Sequence, residues 1–536
     1  MPTMFTLAFS ITIFLFVVVV TALLRLSLAT RRVQSCPPGP SALPLLGNLH
    51  QIPAKKAFLK FFAWSQKYGP IISVKLGPQN LVVLNSAATV RDLFDKRGAI
   101  YSSRPANHIG SELITRDDTH LLLMPYGPNW RNQRKIYQSI LNINAVGSLQ
   151  ALQSAEAILT MQQLAHAPQN YYDIIRRYST AVILSSVFGI RGPEFSHPNI
   201  QHLYKVQDQF TAILETGATP PVDIFPWLKK LPSFLAPWRN WALAIRQEQR
   251  SLYFELLRGA KERVAAGAKR NCFMDKLLQE SKPIKNGLDD EHIAYIGGVL
   301  MEGGSDTTSS TLLSFLLALV KYPRVLRKAQ EEVDRVCGVQ RSPSFEDLAK
   351  MPYIKHCMTE VLRWRPVAAG GIPHLLIQDD SYGDYFFPKG TIFLANTWAI
   401  HHDPDLYDDP EEFRPERYEN HDLGYKPDID ANGLRKTYAF GAGRRICPGQ
   451  HLAENSLVIN MSKIVWAFEI TPKKNPSGQS QLLEDFDDSM ATAWTDGFLV
   501  APKPFALDIH VRSEKHREII DQECAEAQNV FKQYSG

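Results

Sequence analysis

The strongest pattern lies at the start of the chain, where no side chain from residue 1 to 24 is charged and residues 5–24 read FTLAFSITIFLFVVVVTALL. At about 1.5 Å per residue, roughly 20 apolar residues span a bilayer core of about 30 Å. The pattern predicts a retained transmembrane anchor over 1–24. A cleaved signal peptide is the competing reading, but there is no basic n-region and the run exceeds the roughly 7–15 residues of an h-region. Arg25, Arg31 and Arg32 follow, and the positive-inside rule then keeps the rest of the chain in the cytosol. The linker over 25–47 carries Cys36-Pro37-Pro38-Gly39-Pro40, with Pro44 and Gly47 behind it. Closely spaced prolines fix φ, which predicts a stiff elbow.

Further on, β-branched runs at 71–76 and 81–84 flank Gly77-Pro78-Gln79-Asn80 and predict a hairpin. From 87 to 364 the apolar spacing is helical, with the longest periodic stretches at 241–264 and 292–320. Strand-like pieces return at 375–377, 385–387 and 391–395. The end of the chain, over 511–536, is charged, partly helical in pattern, and predicted to be a surface appendage. The picture is a mainly α protein with a smaller β region and one N-terminal transmembrane helix.

Composition narrows the function classes. The chain has 536 residues, 45% hydrophobic and 21% charged, so a disordered or fibrous protein is excluded. A net charge of +5 over this length gives no argument for nucleic acid. Six widely spaced cysteines speak against a disulfide framework and for a reducing compartment. In that compartment the acceptor form Asn460-Met461-Ser462 stays silent.

One cysteine stands out. Residues 440–449 read FGAGRRICPG, so Gly441, Gly443 and Gly449 flank Cys447, and Arg444 and Arg445 precede it. Glycines allow a tight turn and close approach to a flat group, and amides and cations near sulfur favour a thiolate that could serve as an axial ligand to haem iron. A buried structural cysteine in a glycine-rich turn is the competing reading. A dinucleotide loop is disfavoured, because Ile446 replaces the last glycine of GxGxxG and no clear strand precedes it.

The segment has the form F-x-x-G-x-R-x-C-x-G and resembles the haem-binding signature of the cytochrome P-450 family. Four further motifs occur in the family's order, and the resemblance runs from the anchor to about residue 510. It implies a mainly helical body over 48–510 that acts as one haem-thiolate catalytic domain, with haem b (iron protoporphyrin IX) as cofactor. By the same resemblance Cys447 is the proximal thiolate in a loop that includes Phe440, and Arg445 pairs with a propionate. Trp130 and Arg134, in W-x-x-x-R, contact a propionate too, and His374 falls where relatives place a propionate partner. Glu360 and Arg363, three apart on one helical face, form with Arg417 a buried structural triad. Taken alone, an E-x-x-R is most often an ordinary surface pair. Residues 303–308 read GGSDTT and match the oxygen-activation motif, so Thr307 would hydrogen-bond dioxygen and Asp306 would help relay protons. His401 and His402 diverge as neighbours and lack an evident third ligand.

The resemblance implies a monooxygenase that inserts one oxygen atom from dioxygen into a lipophilic small molecule, and overall likeness points to microsomal fungal enzymes of secondary metabolism. Candidate substrate contacts are 104–124, 209–241, 301–305, 367–372 and 494–498. No complete dinucleotide fingerprint is present, so electrons must come from a partner, by resemblance a membrane-bound NADPH-cytochrome reductase. Arg131, Arg134, Lys135, Arg435, Lys436 and Arg444 are candidates for its docking patch. The protein is expected in the endoplasmic reticulum membrane, single-pass, with a cytosolic catalytic domain. Two alternatives stay open: a haem-thiolate isomerase or dehydratase of peroxides, and a non-catalytic membrane haem carrier or sensor.

Overall fold

The computed structural model describes residues 2–29, 35–116, 118–215, 217–279, 288–473, 483 and 486–534. Its first helix, α1 (Pro2–Ala29), extends past the predicted end of the anchor. Phe9, Phe14 and Phe16 on it are about two-thirds exposed. Among the described residues no helix is long and apolar enough to cross a membrane, so the transmembrane reading of α1 rests on its sequence. Arg31 and Arg32 lie outside the described residues.

The proline elbow docks on the first sheet. Ser73 donates its amide to Pro38 O at 2.9 Å and its hydroxyl to Pro37 O at 2.6 Å. Gly47, at φ +64°, lies so close to Lys75 that an added Cβ would sit 2.4 Å from its carbonyl oxygen. After α2 (Ala57–Tyr68) come β1 (Ile71–Leu76) and β2 (Gln79–Leu84), paired antiparallel. The predicted four-residue turn is shortened to Gly77-Pro78, because Gly77 takes φ +57° and lets Gln79 and Asn80 join the ladder.

The helical body comprises α3 (Pro128–Leu141), α4 (Gln150–His166), α5 (Tyr171–Phe188), α6 (Pro198–Leu214), α7 (Pro237–Ala265), α8 (Asp290–Lys321), α9 (Pro323–Cys337) and α10 (Pro352–Trp364). Proline begins α3, α6, α7, α9 and α10, where its missing N–H costs nothing. The predicted helical stretches 241–264 and 292–320 lie inside α7 and α8. The latter is buried on nearly all sides, as its mostly apolar sequence requires.

The second β region contains β3 (His374–Leu375), β4 (Asp380–Tyr382), β5 (Tyr385–Phe387) and β6 (Ile392–Ala395). Within one sheet the order is β1-β2-β6-β3, with β2 and β6 parallel. Chain order ends with α11 (Gln450–Ala467), the antiparallel pair β7 (Phe468–Pro472) and β8 (Leu507–Val511), and α12 (Glu514–Phe531). The pattern did not predict β4, β7 and β8, each five residues or fewer.

Helix α12 corrects the surface-appendage reading. Its Ile519, Ile520, Cys524, Ala527 and Phe531 belong to the main core, beside apolar residues of α4. The Cys524 thiol donates to Gln162 Oε1 at 3.0 Å, and Glu523 accepts the Ser342 amide at 2.8 Å. The charges that suggested an appendage occupy the outer face of an amphipathic helix.

Candidate active site

The cysteine loop is held by backbone geometry. Gly441 and Gly443 adopt φ +76° and +63°, and a Cβ on Gly443 would lie 2.3 Å from Phe94 O, so only glycine fits there. The Gly443 amide donates to Asp95 Oδ1 at 2.7 Å, and the same carboxylate holds Arg435 at 2.6 Å. Cys447 closes the loop by donating its amide to Phe440 O at 2.8 Å. A Cβ on Gly449 would approach Cys447 Sγ to 3.8 Å, which places the sulfur at the entry to α11. Burial pushes the Cys447 thiol up, against the opposing pull of the Gly449 amide and Arg134. Metal coordination would displace that proton outright, because the ligand is the thiolate.

Next to this loop lies a ring of cations, Arg104 buried and Arg134 and Arg445 half-buried. Arg445 donates to Ser102 O at 2.7 Å, Met124 O at 2.7 Å and Leu121 O at 3.2 Å, over the Trp130 ring at 4.5 Å. Arg104 donates to Leu122 O at 2.9 Å and Pro373 O at 2.5 Å. Arg134 donates to Ile446 O at 2.5 Å. None of the three has a carboxylate partner among the described residues. Burial lowers Arg445 to about 8, with Arg104 and Arg134 adding to the effect, and lowers Arg104 to about 9. Uncompensated buried guanidinium groups are costly, so the ring calls for an anion. The Trp130 indole N–H is likewise buried without a partner. Two propionates of a haem, with a thiolate ligand beside them, fit this donor set.

His374 belongs to the same cluster, stacked on Phe94 at 4.1 Å. Its Nδ1–H donates to Tyr101 O at 2.7 Å, and burial, then Arg104, hold it well below its ordinary range, leaving Nε2 as an acceptor in the neutral ring. Arg104 was missed as a cofactor residue by sequence reasoning, which read 104–124 as substrate contacts. A lone arginine ahead of Pro105 offers no spacing signal.

On the opposite side, α8 runs unbroken through its glycines. Cβ atoms on Gly298 and Gly304 would strike Tyr253 and Ile183 at 2.4 and 2.8 Å, so these glycines serve close helix packing. Gly303 has open space beside it instead. Thr307 Oγ1 donates to Gly303 O at 2.8 Å, so its hydroxyl sits at this opening. Asp306 points elsewhere: its carboxylate pairs with Arg176 of α5 at 3.5 Å, and burial pushes it up while Arg176 pulls it down. Neighbours on a helix diverge by about 100°. The structure therefore separates the two residues that the motif places together. Replacing Thr307 by alanine is expected to leave cofactor content intact while diverting reducing equivalents to peroxide. The expected loss of coupled product is about 10²-fold, typical for a lost proton-transfer group, and peroxide-to-product stoichiometry measures it.

Glu360, Arg363 and Arg417 converge as expected. Arg363 donates to both Glu360 oxygens, at 2.8 and 2.9 Å, and Arg417 Nε to Oε1 at 3.0 Å, all out of solvent. Burial alone would lower Arg363, but the Glu360 carboxylate overrides it and raises the guanidinium above its ordinary range. The Arg363 guanidinium also donates to His401 O at 2.8 Å, and His401 Nε2 accepts the Tyr438 amide at 2.9 Å. His401 thus links the triad to the cysteine loop, and His402 stacks on Trp398 at 3.6 Å.

The candidate substrate segments meet in part. Ile109 and Ile114 pack with Phe210, Ile213, Val222 and Trp238 in one apolar cluster. Val500 donates to Val367 O at 2.9 Å, which joins 367–372 to the strip after Trp494. Of the six candidate docking cations, Arg134 turns inward and Arg435 is paired with Asp95, whereas Arg131, Lys135, Lys436 and Arg444 are exposed.

The family model for cytochrome P450 matches residues 37–491. The chain is 38% identical over 524 residues to the cytochrome P450 monooxygenase yanC of Aspergillus niger, covering 96% of each protein. It is 39% identical over 512 residues to the monooxygenase AOL_s00215g282 of Arthrobotrys oligospora, covering 94% of each. To the monooxygenase acuC of Aspergillus aculeatus it is 40% identical over 515 residues, again 94% of each. A thiol in a glycine loop, a ring of cations awaiting an anion and this match over most of the length agree, and the chain belongs to the cytochrome P450 family of haem-thiolate monooxygenases.

Proposed function

We propose that the protein is a single-pass endoplasmic reticulum enzyme with a cytosolic catalytic domain, which takes electrons from NADPH-cytochrome reductase and oxygenates a lipophilic small molecule of secondary metabolism. The observation that carries the catalytic reading is the carboxylate-free ring of Arg104, Arg134 and Arg445 beside Cys447. When bound, haem b supplies the redox chemistry that splits dioxygen and passes one atom to substrate.

The chain's own residues do the rest. Cys447 would hold the haem iron as a thiolate, an electron-donating ligand. Arg445, Arg134 and Arg104 would hold the cofactor's carboxylates, with the Trp130 N–H as a further donor. Thr307 holds a proton at its hydroxyl beside the open space at Gly303. Asp306 and Arg176 form the more distant acid–base pair. The apolar cluster of Phe210 and Ile213 with Ile109 and Ile114 suits a lipophilic substrate.

Membrane residence is supported by the charge-free run over residues 1–24 and by Trp227, Phe234 and Leu235, which are 63%, 82% and 52% exposed on the connection between α6 and α7. Docking of an acidic electron donor is supported by the exposed cations named above. Among them Lys436 lines a groove of about 800 Å³, with Lys355, Met358, Leu362, Phe440 and Ile446.

The test uses the full-length protein with reductase, NADPH and a panel of lipophilic metabolites. Substrate-induced spin-state shifts followed by products that carry one added oxygen, at one NADPH per turnover, are expected. Conversion of a hydroperoxide without NADPH, with no hydroxylation across the panel, would assign an isomerase or dehydratase. No turnover of either kind would leave a haem carrier.

A further inference from the structure

A buried carboxylate in the middle of α8 has no part in the chemistry above. Glu302, immediately before Gly303, accepts from His120 Nε2 at 3.0 Å through Oε2, and from Gln249 Nε2 at 3.2 Å and the Tyr253 hydroxyl through Oε1. Its backbone carbonyl accepts from Gln207 at 3.2 Å. The side chains of His120 and Glu302 are 3% and 9% exposed, and among the described residues no arginine or lysine pairs with Glu302. Burying a carboxylate with no arginine or lysine beside it is costly compared with an apolar residue, so the arrangement calls for a purpose beyond filling space.

That purpose lies in the loop that carries His120. The His120 carbonyl accepts the amides of Leu123 and Met124, each at 3.0 Å, and so closes the turn 120–124. The carbonyls of Leu121, Leu122 and Met124 in this turn are the groups that hold Arg445 and Arg104. The loop's other side-chain ties to helices, from Asp118 to His292, lie nearer the surface. Leu121 and Met124 of the turn are buried in an apolar cluster, and His120 adds the turn's side-chain hydrogen bond to a buried carboxylate. Any rotation of the turn would swing two of the three guanidinium groups that face the cofactor.

We infer that Glu302 is a positioning residue for the cofactor clamp: through His120 it fixes the turn 120–124, and through the turn it fixes Arg104 and Arg445. The inference rests on the haem reading. Because the same carboxylate is bonded to α7 and its peptide to α6, the clamp is tied to both of these helices.

The experiment follows haem transfer from the full-length holoprotein to apomyoglobin, in parent, His120→Leu, Glu302→Gln, the double variant and Tyr253→Phe. Tyr253→Phe removes a bond to Glu302 but leaves the His120 arm and the Gln249 bond. We expect His120→Leu and Glu302→Gln each to release haem at least tenfold faster, with the thiolate band of the reduced carbon monoxide complex unchanged in position. The double variant is expected within twofold of the faster single, and Tyr253→Phe within twofold of the parent. Parental release from His120→Leu overturns the inference, also if Glu302→Gln fails to fold. It is equally overturned if Tyr253→Phe releases haem as fast as Glu302→Gln, since generic packing would then explain both, or if the two single effects multiply. A parent lacking the red-shifted band would instead sink the haem reading itself.

Discussion

Replacing Cys447 by alanine is expected to abolish the strongly red-shifted Soret band of the reduced carbon monoxide complex and to bring monooxygenase turnover to background. The loss should exceed the roughly 10–100-fold that removal of an outer partner of a metal ligand costs, because the ligand itself is gone. The variant is expected to fold, since the loop is held by the Cys447 amide on Phe440 O and the Gly443 amide on Asp95, neither of which uses the thiol. Far-ultraviolet dichroism and haem content separate loss of ligation from loss of structure. The Arg104, Arg134 and Arg445 ring remains in the variant, so some haem should still bind, with altered ligation. An unchanged spectrum would remove Cys447 as the ligand.

Glu360→Gln is expected to be the most destabilising single change, at about 3–5 kcal/mol, because it strands two buried guanidinium groups without an anion. The damage should not stay local. Arg363 holds His401 O, His401 holds the Tyr438 amide, Tyr438 O accepts the Gly441 amide, and Phe440 O accepts Cys447. Haem content should therefore fall together with the urea midpoint. A variant that keeps the parental midpoint would show that the three residues are dispensable for stability.

Local spacing made some of this legible. The glycine loop around Cys447 is compressed into ten residues, so its chemistry can be read without a fold. Glu360 and Arg363 share a helical face for the same reason, while Arg417 lies 57 positions beyond Glu360 and entered only through resemblance. Arg104 stayed hidden because its role depends on carbonyls supplied by a loop, and backbone acceptors leave no trace in side-chain pattern. The Arg176 partner of Asp306 lies 130 positions away on another helix, so no local spacing announces it. Likewise α12 looked dispensable by charge, although its apolar stripe completes the core.

The pairing of β2 with β6 carries a consequence for biosynthesis. Roughly 300 residues separate the two strands, so at about 5–20 residues per second the ribosome needs about 15–60 s to deliver the second after the first. During that interval the β1–β2 hairpin has emerged with its parallel edge open, a template for wrong partners. The cofactor clamp is completed later still, since Arg104 and Trp130 emerge early and Arg445 and Cys447 near the end. The clamp can thus close only once about five-sixths of the chain has been made, with α11 and α12 still to come.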